Sequence, residues 1–404
     1  MHNWFKEAEK FTPELKVLLL QGPDRHQYFE QIPHYDIVLT TYPLLARDEE
    51  QLKQYEYHQL ILDEAQNIKN PRAKAAQVVR QLKARHRLCL TGTPMENHLG
   101  ELWALFYFLM PGFLYSQEIF NKKYRHPIEK RGDEQLRQKL VNRIKPFILR
   151  RLKTDVAKEL PEKTTIEVNI DMNDQQSKLY EAVRATMQAS IQKIVAEKGF
   201  KRSQIQILDA LLKLRQVCCH PSLLKLDSVK IGQAHSAKLE QLMDMVVPMV
   251  EEGRKILIFS QFTSMLELIE QQFHHAEIGY VKLTGKTKKR DEVITAFQSG
   301  QVPVFLISLK AGGVGLNLTA ADTVIHYDPW WNPAAEDQAS DRAWRIGQDK
   351  PVFVYKLITN KSIEEKILAL QQNKAELAHS ILSTDHEGEA KLTENDVMNL
   401  FEKF

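Results

Sequence analysis

Short apolar runs alternate with longer stretches of helical periodicity along this chain. Runs rich in β-branched and aliphatic residues predict buried strands, and strands that alternate with helices are typical of α/β folds with parallel sheets. The predicted strands fall into two sets. The first set comprises residues 16–22, 36–42, 59–65 and 86–92, and the second comprises residues 255–260, 280–285, 303–309, 323–328 and 352–358. We therefore predict one parallel sheet near each end of the chain.

The middle of the chain has a different pattern. Apolar positions recur at helical spacing in residues 97–150 and 173–225, and one strand-like piece, residues 163–170, separates these helical blocks. Residues 225–236 are polar without a clear period, which predicts a linker. A further long helix is predicted after residue 361.

Composition limits the class of protein. The 404 residues exceed what one compact core holds, so we expect two or three domains. The apolar runs are shorter than the roughly 18 residues that span a membrane. Three cysteines supply no disulfide framework, which is typical of a reducing compartment. The net charge is only +3, so any nucleic-acid site would depend on local basic residues.

Two adjacent carboxylates, Asp63 and Glu64, stand at the carboxyl end of the predicted strand 59–65. Nucleoside triphosphatases use such a pair to hold magnesium and to orient the attacking water. A lone Asp-Glu pair after a strand is more often a solvated turn. The nucleotide hypothesis therefore needs a phosphate-binding loop as well.

A Walker A loop has the form G-x-x-x-x-G-K-[ST], because its glycines let backbone amides crowd the phosphates. The Gly-Lys-Thr at residues 285–287 fails this spacing, since five residues separate Gly279 from Gly285. We interpret it as a polar turn. The 404 residues contain no other Gly-Lys-Ser/Thr.

Three further segments could serve one nucleotide site: LTGTP (90–94), the glycine-dense residues 308–325, and residues 328–348. If residues 338–345 are helical, Gln338, Asp341, Arg342 and Arg345 share one helix face. A pair of arginines presented to one place suits phosphate recognition and the stabilisation of phosphoryl transfer.

In this order, the segments resemble the Swi/Snf-type family of helicase-like ATPases, in its bacterial branch. The resemblance rests on DEAQ, LTGTP, VCCHPSLL, ILIFSQFTSMLELIE, GGVGLNL and DRAWRIGQ, and it covers essentially the whole chain. It implies an α/β fold of two RecA-like lobes with helical insertions, ATP and Mg²⁺ as cofactors, and DNA-dependent ATP hydrolysis. One departure is Trp344, where many relatives have histidine.

The resemblance also places the phosphate loop. Family members carry it before the stretch NWFKEAEKF, which here occupies residues 3–11. We therefore expect the first lobe to be incomplete, and the chain as written to be inactive in ATP hydrolysis until the loop is supplied.

By resemblance, specific residues take specific roles. The catalytic residues would be Asp63, which also binds the magnesium, Glu64, and the arginine fingers Arg342 and Arg345. Nucleotide contacts would come from Gly313, Gly315 and Gln338, and coupling to DNA from Thr91, Gly92 and Thr93. The DNA track would be lined by Thr40, Thr41, Ser260, Gln261, Ser308 and Lys310.

The implied organisation has four parts. They are an incomplete first lobe (1–170) with a helical insertion from about residue 97, a helical protrusion and linker (171–235), a second helicase C-terminal lobe (236–370) and C-terminal brace helices (371–404). The implied protein is a monomeric, cytoplasmic, nucleoid-associated motor on double-stranded DNA. A DNA-bound protein complex such as a polymerase would be a further partner, and no membrane is involved.

Two function classes stay open at this stage: an ATP-driven double-stranded DNA translocase, and an ATPase-dead remnant that binds DNA or protein. An RNA helicase fits less well, because LTGTP and DRAWRIGQ differ from the SAT and HRxGR spellings of that group. A zinc site at Cys218, Cys219 and His220 is disfavoured, because adjacent cysteines lack the C-x₂₋₄-C spacing of zinc ligands.

Overall fold

The chain divides after Leu149 into two units in the computed structural model. The described part of the first unit is residues 1–92 and 98–149, and the described residues from Arg150 onward belong to the second. The structure describes residues 1–92, 98–151, 153–224, 235–312, 316–331, 333–369 and 398–404. No helix within these ranges combines the length and the apolarity needed to cross a membrane.

Two parallel strand pairs form the sheet structure of the first unit, as far as its residues are described. They are β1 (Val17–Leu19) with β2 (Ile37–Leu39), and β3 (Glu56–Leu62) with β4 (Lys83–Cys89). One hydrophobic core underlies both pairs and includes Leu20, Ile68, Val78 and Phe108. The helices of this unit are α1 (His2–Phe11), α2 (Tyr42–Arg47), α3 (Glu49–Leu52), α4 (Lys74–Gln81), α5 (Leu99–Leu109), α6 (Gln117–Phe120), α7 (His126–Arg131) and α8 (Glu134–Ile144).

Helix α5 is buried on nearly all sides, because its sequence LGELWALFYFL is apolar around the whole helix. Its amino-terminal end is capped by a side chain from another helix. The Glu129 carboxylate accepts a hydrogen bond from the Leu99 amide at 2.8 Å and pairs with Arg125. This contact ties α5 to α7 in a helical layer that follows β4, where the sequence predicts helices.

A six-stranded parallel sheet, counted over the described residues, dominates the second unit. Its strand order is β5–β10–β9–β6–β8–β7, and each neighbouring pair is parallel. The predicted α/β class with parallel sheets is thereby confirmed. The strands are β5 (Lys163–Ile170), β6 (Ile256–Ser260), β7 (Tyr280–Leu283), β8 (Val304–Ser308), β9 (Thr323–His326) and β10 (Val352–Thr359).

Helices cover both faces of this sheet, as buried parallel strands require. Alternate residues of β6 contribute to two separate cores: Ile256 and Ile258 to one, Leu257 and Phe259 to the other. The helices are α9 (Lys153–Val156), α10 (Asp174–Lys198), α11 (Gln204–Cys219), α12 (Ala237–Glu251), α13 (Thr263–His275), α14 (Arg290–Gln298), α15 (Leu309–Gly312) and α16 (Pro333–Ser340), and residues 363–369 are also helical.

The long helix α10 has sequence-encoded ends. Asn173 accepts a hydrogen bond from the Gln176 amide at 2.8 Å, and Gly199 follows the helix with φ of 76°. Helix α11 packs against α10 and shares a core with Phe401 near the end of the chain. The Arg184 guanidinium donates to the Phe401 carbonyl at 2.7 Å, so this terminus is fixed to the helical pair.

Strand β5 belongs to the sheet of the second unit, whereas the predicted domain boundary places it in the first lobe. The implied boundary places residues 163–170 in the first lobe, but β5 pairs with β10 along its whole length, from Lys163 opposite Val352 to Ile170 opposite Thr359. A local apolar pattern predicts a strand without specifying its neighbour. The predicted linker 225–236 and brace 371–404 fall largely outside the described residues.

Candidate functional site

The Asp63 carboxylate stands at the carboxyl end of β3, exposed to solvent. One of its oxygens accepts the Glu64 amide at 2.9 Å, and the other accepts the indole N–H of Trp4 at 2.8 Å. The Tyr42 hydroxyl donates to the Asp63 main-chain oxygen at 2.8 Å. The carboxylate is therefore held in one orientation by contacts from α1 and from its own turn.

Glu64 adopts a left-handed backbone conformation, with φ of 48° and ψ of 54°. Residues other than glycine seldom adopt this conformation, and it often marks functional turns. Here it ends β3 abruptly and starts the one-turn 3-10 helix Ala65–Ile68. The turn brings the Glu64 side chain next to Gln66, whose amide donates to a Glu64 carboxylate oxygen at 2.8 Å.

A hydrogen-bond relay connects the carboxylates to the segment after β4. The Thr91 hydroxyl donates to the Gln66 side-chain oxygen at 2.8 Å, while the Gln66 amide holds Glu64. Main-chain bonds extend the β3–β4 pairing beyond the strands, from Leu90 to Leu62 at 2.8 Å and from Ala65 to Leu90 at 2.9 Å. The structure thus brings together the two motifs that the sequence places about 25 residues apart.

Tyr42 and Cys89 border this turn and are uncharged. Burial, reinforced by nearby negative groups, raises the pKa of the Tyr42 hydroxyl well above its usual range. Burial also raises the pKa of the Cys89 thiol to about 12. Tyr42 is therefore a neutral donor to Asp63 at any physiological pH, and the charge of this site comes from the carboxylates.

The first-unit residues predicted for the DNA track follow β2, and those predicted for coupling follow β4. Thr41 caps α2, because its hydroxyl oxygen accepts the Leu44 amide at 3.4 Å. Thr40 precedes it and is half-buried, whereas Gly92 is exposed. The predicted residue Thr93 lies outside the described residues.

In the second unit, Ser260 and Gln261 at the end of β6 are organised by Asp328. The buried Ser260 hydroxyl donates to the Asp328 carboxylate at 2.6 Å, and the Gln261 amide donates to it at 3.3 Å. Ser260 is 1% exposed, so its hydroxyl serves this contact within the fold. Its role on a DNA track stays a prediction.

Arg215 of α11 is buried against the same carboxylate. Its guanidinium lies 3.7 Å from Asp328 and donates to the Gln261 side-chain oxygen at 2.8 Å. The rings of Phe262, Trp330 and Trp331 lie within 6 Å of it. Burial raises the pKa of Asp328 despite the nearby guanidinium. Sequence reasoning missed Arg215 and Asp328, because their partners are far apart in the chain.

The segment after β8 carries Ser308, which is buried, and Lys310, which is exposed. Gly312 is needed for close approach: a Cβ there would lie 2.6 Å from a ring carbon of Phe259. The predicted nucleotide contacts Gly313 and Gly315 lie outside the described residues.

The condition that residues 338–345 form one helix is met only as far as Ser340, where α16 ends. The following carbonyls bond to other parts of the chain instead of to a next helical turn. The Arg342 carbonyl accepts the Leu318 amide at 3.0 Å, and the Ala343 carbonyl accepts the Gln348 side chain at 3.0 Å. Gln338, on α16, therefore does not share a continuous helix face with the arginines.

Both predicted arginine fingers lie in this turn. Arg342 is 9% exposed, and Arg345 is half-buried. Within the described residues the Arg345 guanidinium makes no hydrogen bond or ion pair. The buried side chain of Gln348 also donates to the carbonyls of Thr319 and Ala321, at 3.1 and 2.7 Å, and so supports the turn. Gln348 ends the DRAWRIGQ motif, which was a usable signal for its importance.

Two protein families match this chain. Residues 1–223 match the SNF2-related domain, and residues 237–347 match the helicase conserved C-terminal domain. The chain is 40% identical over 394 residues to YwqA of Bacillus subtilis (strain 168), whose name places it among ATP-dependent helicases/translocases; the match covers 95% of this chain and 42% of YwqA.

A second relative is the ISWI chromatin-remodeling complex ATPase ISW1 of Saccharomyces cerevisiae. It is 33% identical over 402 residues, covering 95% of this chain and 35% of ISW1. The chain thus spans about two fifths of the length of these relatives. Among solved structures, the Sulfolobus solfataricus SWI2/SNF2 ATPase core in complex with dsDNA is 39% identical, with a TM-score of 0.47, covering 95% of this chain and 80% of that chain.

Proposed function

The chain belongs to the SNF2-related family, and from that premise we propose that it forms the motor part of an ATP-driven double-stranded DNA translocase. The observation that carries the proposal is the relay from Glu64 through Gln66 to Thr91. It joins the turn that carries Asp63 and Glu64, which suits nucleotide chemistry, to the segment after β4 that carries Thr91. That segment is the one predicted to couple the nucleotide site to DNA. Such a connection is what a motor needs, because hydrolysis has to respond to its track.

Asp63 is the residue that would hold magnesium. It is an exposed carboxylate, a hard oxygen donor of the kind that Mg²⁺ prefers. Each of its oxygens accepts one hydrogen bond, and a carboxylate has about four lone-pair sites, so capacity for a metal remains. Bound Mg·ATP supplies the phosphoanhydride bond and the charge that offsets the phosphates.

Glu64 would orient the attacking water. Its strained backbone conformation and its bond to Gln66 hold the carboxylate in one direction, which reduces the reorganisation needed at the moment of reaction. A shift of the Thr91 segment would change the position of Gln66 and hence of Glu64. We propose that this is how DNA engagement alters the rate of hydrolysis.

Arg342 and Arg345 would stabilise the charge of phosphoryl transfer, with Gln338 as a nucleotide contact. Guanidinium groups suit this role because they present several donors in a fixed plane. The turn that carries them is anchored by the Leu318 amide, which donates to the Arg342 carbonyl, and by the Gln348 side chain, which donates to the Ala343 carbonyl.

Double-stranded DNA is the proposed track. The names of the relatives, a helicase/translocase and a chromatin-remodeling ATPase, support an activity on DNA. Lys310 offers an exposed cation just after β8, where a phosphate contact would carry no base information. A DNA-bound protein complex such as a polymerase is a further proposed partner.

One observation favours the second candidate, an ATPase-dead binding module: the 404 residues contain no G-x-x-x-x-G-K-[ST] loop. The deciding experiment compares DNA-stimulated phosphate release by this chain with release by a loop-bearing protein, in which a segment with that loop is joined ahead of residue 1. We expect turnover of about 1 per second or more from the loop-bearing protein with duplex DNA, and no measurable turnover from the chain alone.

Gln66→Ala in the loop-bearing protein tests the relay itself. We expect the stimulation by DNA to fall about tenfold, the effect of roughly one hydrogen bond on the barrier, with little change in the rate without DNA. Asn67→Ala is the matched control, because the Asn67 side chain donates to the Glu64 carbonyl and not, among the described residues, to the Glu64 side chain or to Thr91. Full stimulation in Gln66→Ala would contradict the coupling role, and an inactive loop-bearing protein would favour the binding module.

A further inference from the structure

Trp344 lies between Arg342 and Arg345, in the turn that follows α16. We call residues 341–345 the arginine segment. The Trp344 indole N–H donates to the main-chain carbonyl of Pro161 at 2.7 Å, across 183 residues of sequence. Pro161 belongs to residues 153–163, which we call the link segment, because it follows the first unit in the chain and leads into β5.

Two lysines of the link segment hold the same indole. The Lys163 ammonium lies 4.7 Å from the centre of the Trp344 ring, and the Lys153 ammonium lies 5.3 Å from it. Both distances are within the range of cation–π attraction, which is strongest for tryptophan. Lys153 also donates to the Trp344 carbonyl at 3.0 Å. The side chain and the main chain of Trp344 are thus both engaged.

Asp341 completes the arrangement at the other end of the arginine segment. Its carboxylate pairs with Lys153 at 2.7 Å and with Lys163 at 3.3 Å. The two lysines therefore connect the residue before Arg342 with the residue after Ala343. We call these contacts of Asp341 and Trp344 with the link segment the tryptophan clamp.

The tryptophan clamp holds the residues that directly follow α16. Because α16 ends at Ser340, the segment that carries both arginines continues as turns, in which the Arg342 and Ala343 amides donate to the carbonyls of Ala339 and Ser340 at 3.2 and 3.1 Å. Beyond these turns, the segment is held by the clamp on one side and by Leu318 and Gln348 on the other. A guanidinium that stabilises phosphoryl transfer has to be placed accurately, since a misplacement of about 1 Å costs on the order of 10² in rate.

We propose that Trp344 is a positioning residue, which sets the place of Arg342 and Arg345 by holding the arginine segment on the link segment. This role rests on the proposed ATPase function. It predicts two separable consequences of weakening the clamp: a looser link segment, which any preparation of the chain shows, and a slower chemical step, which only the loop-bearing protein shows.

Limited trypsin digestion of the 404-residue chain reports the first consequence. Trp344→Phe keeps a ring for the lysines but removes the donor to Pro161, and we expect cleavage after Lys153 and the exposed Lys158 to accelerate roughly two- to tenfold, the effect of one lost hydrogen bond. Trp103→Phe is the matched control, because the Trp103 indole donates to the Tyr115 carbonyl in the first unit at 3.2 Å. That variant should leave cleavage of the link segment unchanged.

Steady-state ATP hydrolysis by the loop-bearing protein measures the second consequence, the slower chemical step. Trp344→Phe should lower kcat by about 10- to 100-fold while the KM for ATP changes less than about twofold, and Trp103→Phe should change neither. Lys163→Met, which loses one side of the clamp, should give a smaller loss in kcat and also accelerate cleavage.

Unchanged cleavage in both Trp344→Phe and Lys163→Met would overturn the clamp. Accelerated cleavage with unchanged kcat, in a protein that loses turnover on Arg345→Ala, would overturn the positioning role. If Arg345→Ala keeps its turnover, the proposed finger role fails instead, and with it the positioning role, while the cleavage rates still decide whether the clamp exists.

Discussion

Strands β6 and β3 make an instructive comparison, because both follow from the same kind of apolar run. In the second unit, Ile258 of β6 is fully buried, whereas Ile61 of β3 in the first unit is 50% exposed. β6 lies between β9 and β8 and has helices on both faces, whereas β3 pairs with β4 alone among the described residues. Similar apolar runs thus lead to very different burial. How much a strand residue contributes to the free energy of unfolding depends on the strands and helices packed around it.

The carboxylates of the first unit and the arginines of the second unit also differ in burial. Asp63 is exposed and sits directly after a strand, so its place follows from strand register and a tight turn. Arg342 is 9% exposed and sits in an irregular turn anchored to the link segment and to Gln348. Strand register and a tight turn place Asp63, with the Trp4 indole orienting its carboxylate, whereas contacts across more than 180 residues place the arginine segment. We therefore expect distant substitutions to affect the arginines more than the carboxylates.

Arg345→Ala in the loop-bearing protein has the largest expected effect. We expect kcat to fall by about 10³ to 10⁵, the range for arginine fingers, while ATP binding is preserved. Rapid-quench measurement of phosphate release and equilibrium binding of ATP check the two parts separately. Arg254→Ala is the control, because Arg254 contacts Glu252 and Thr323 elsewhere in the second unit. A loss below about tenfold would mean that Arg345 is structural.

Matched isoleucine substitutions test the comparison of the strands directly. Ile258→Ala removes a fully buried side chain from one of the two cores that flank the sheet, so we expect the free energy of unfolding of the second unit to fall by about 2–5 kcal/mol. Ile61→Ala removes a half-exposed side chain, and the first unit should lose about 1 kcal/mol or less. Urea unfolding, with hydrogen exchange to assign each transition to its unit, measures both values. Equal losses would show that β3 is as well buried in solution as β6.

The smallest expected effect is a weak affinity of the second unit for duplex DNA. A fragment of residues 150–404 should fold alone, because it contains all six strands of its sheet, whereas a fragment that starts at residue 236 lacks β5. With few exposed cations on the predicted track, its affinity for DNA should fall with salt at a log–log slope of roughly −1 to −4. Fluorescence anisotropy with labelled duplexes of unrelated sequence measures this slope.

Lys310→Ala sharpens that measurement. It should reduce the slope by about 1 and weaken binding to all duplexes alike, because the contact is to phosphate. Lys193→Ala, an exposed lysine of α10, is the control and should leave the slope unchanged. Strong preference for one DNA sequence would contradict the motor interpretation of this unit.

Much of the fold was predictable because its signals are local. The run at 255–260 corresponds to β6 (Ile256–Ser260), and the run at 59–65 overlaps β3 and correctly put Asp63 at its end. The resemblance to the Swi/Snf-type family is confirmed by the matched SNF2-related domain. The end of α16 was not predictable, because Leu318 and Gln348 supply the bonds that stop it. Helical spacing alone continues the pattern to Arg345.

The sequence by itself determined which residues form strands, where the paired carboxylates stand and to which family the chain belongs, since apolar periodicity and motif spelling are properties of neighbouring residues. Tertiary structure alone decided that β5 pairs with β10, that Arg215 meets Asp328, and that Trp344 meets Pro161. Each of these contacts joins residues more than 100 positions apart. The free energy of each contact depends on the distance between its two partners in the folded chain. No local sequence pattern encodes that distance.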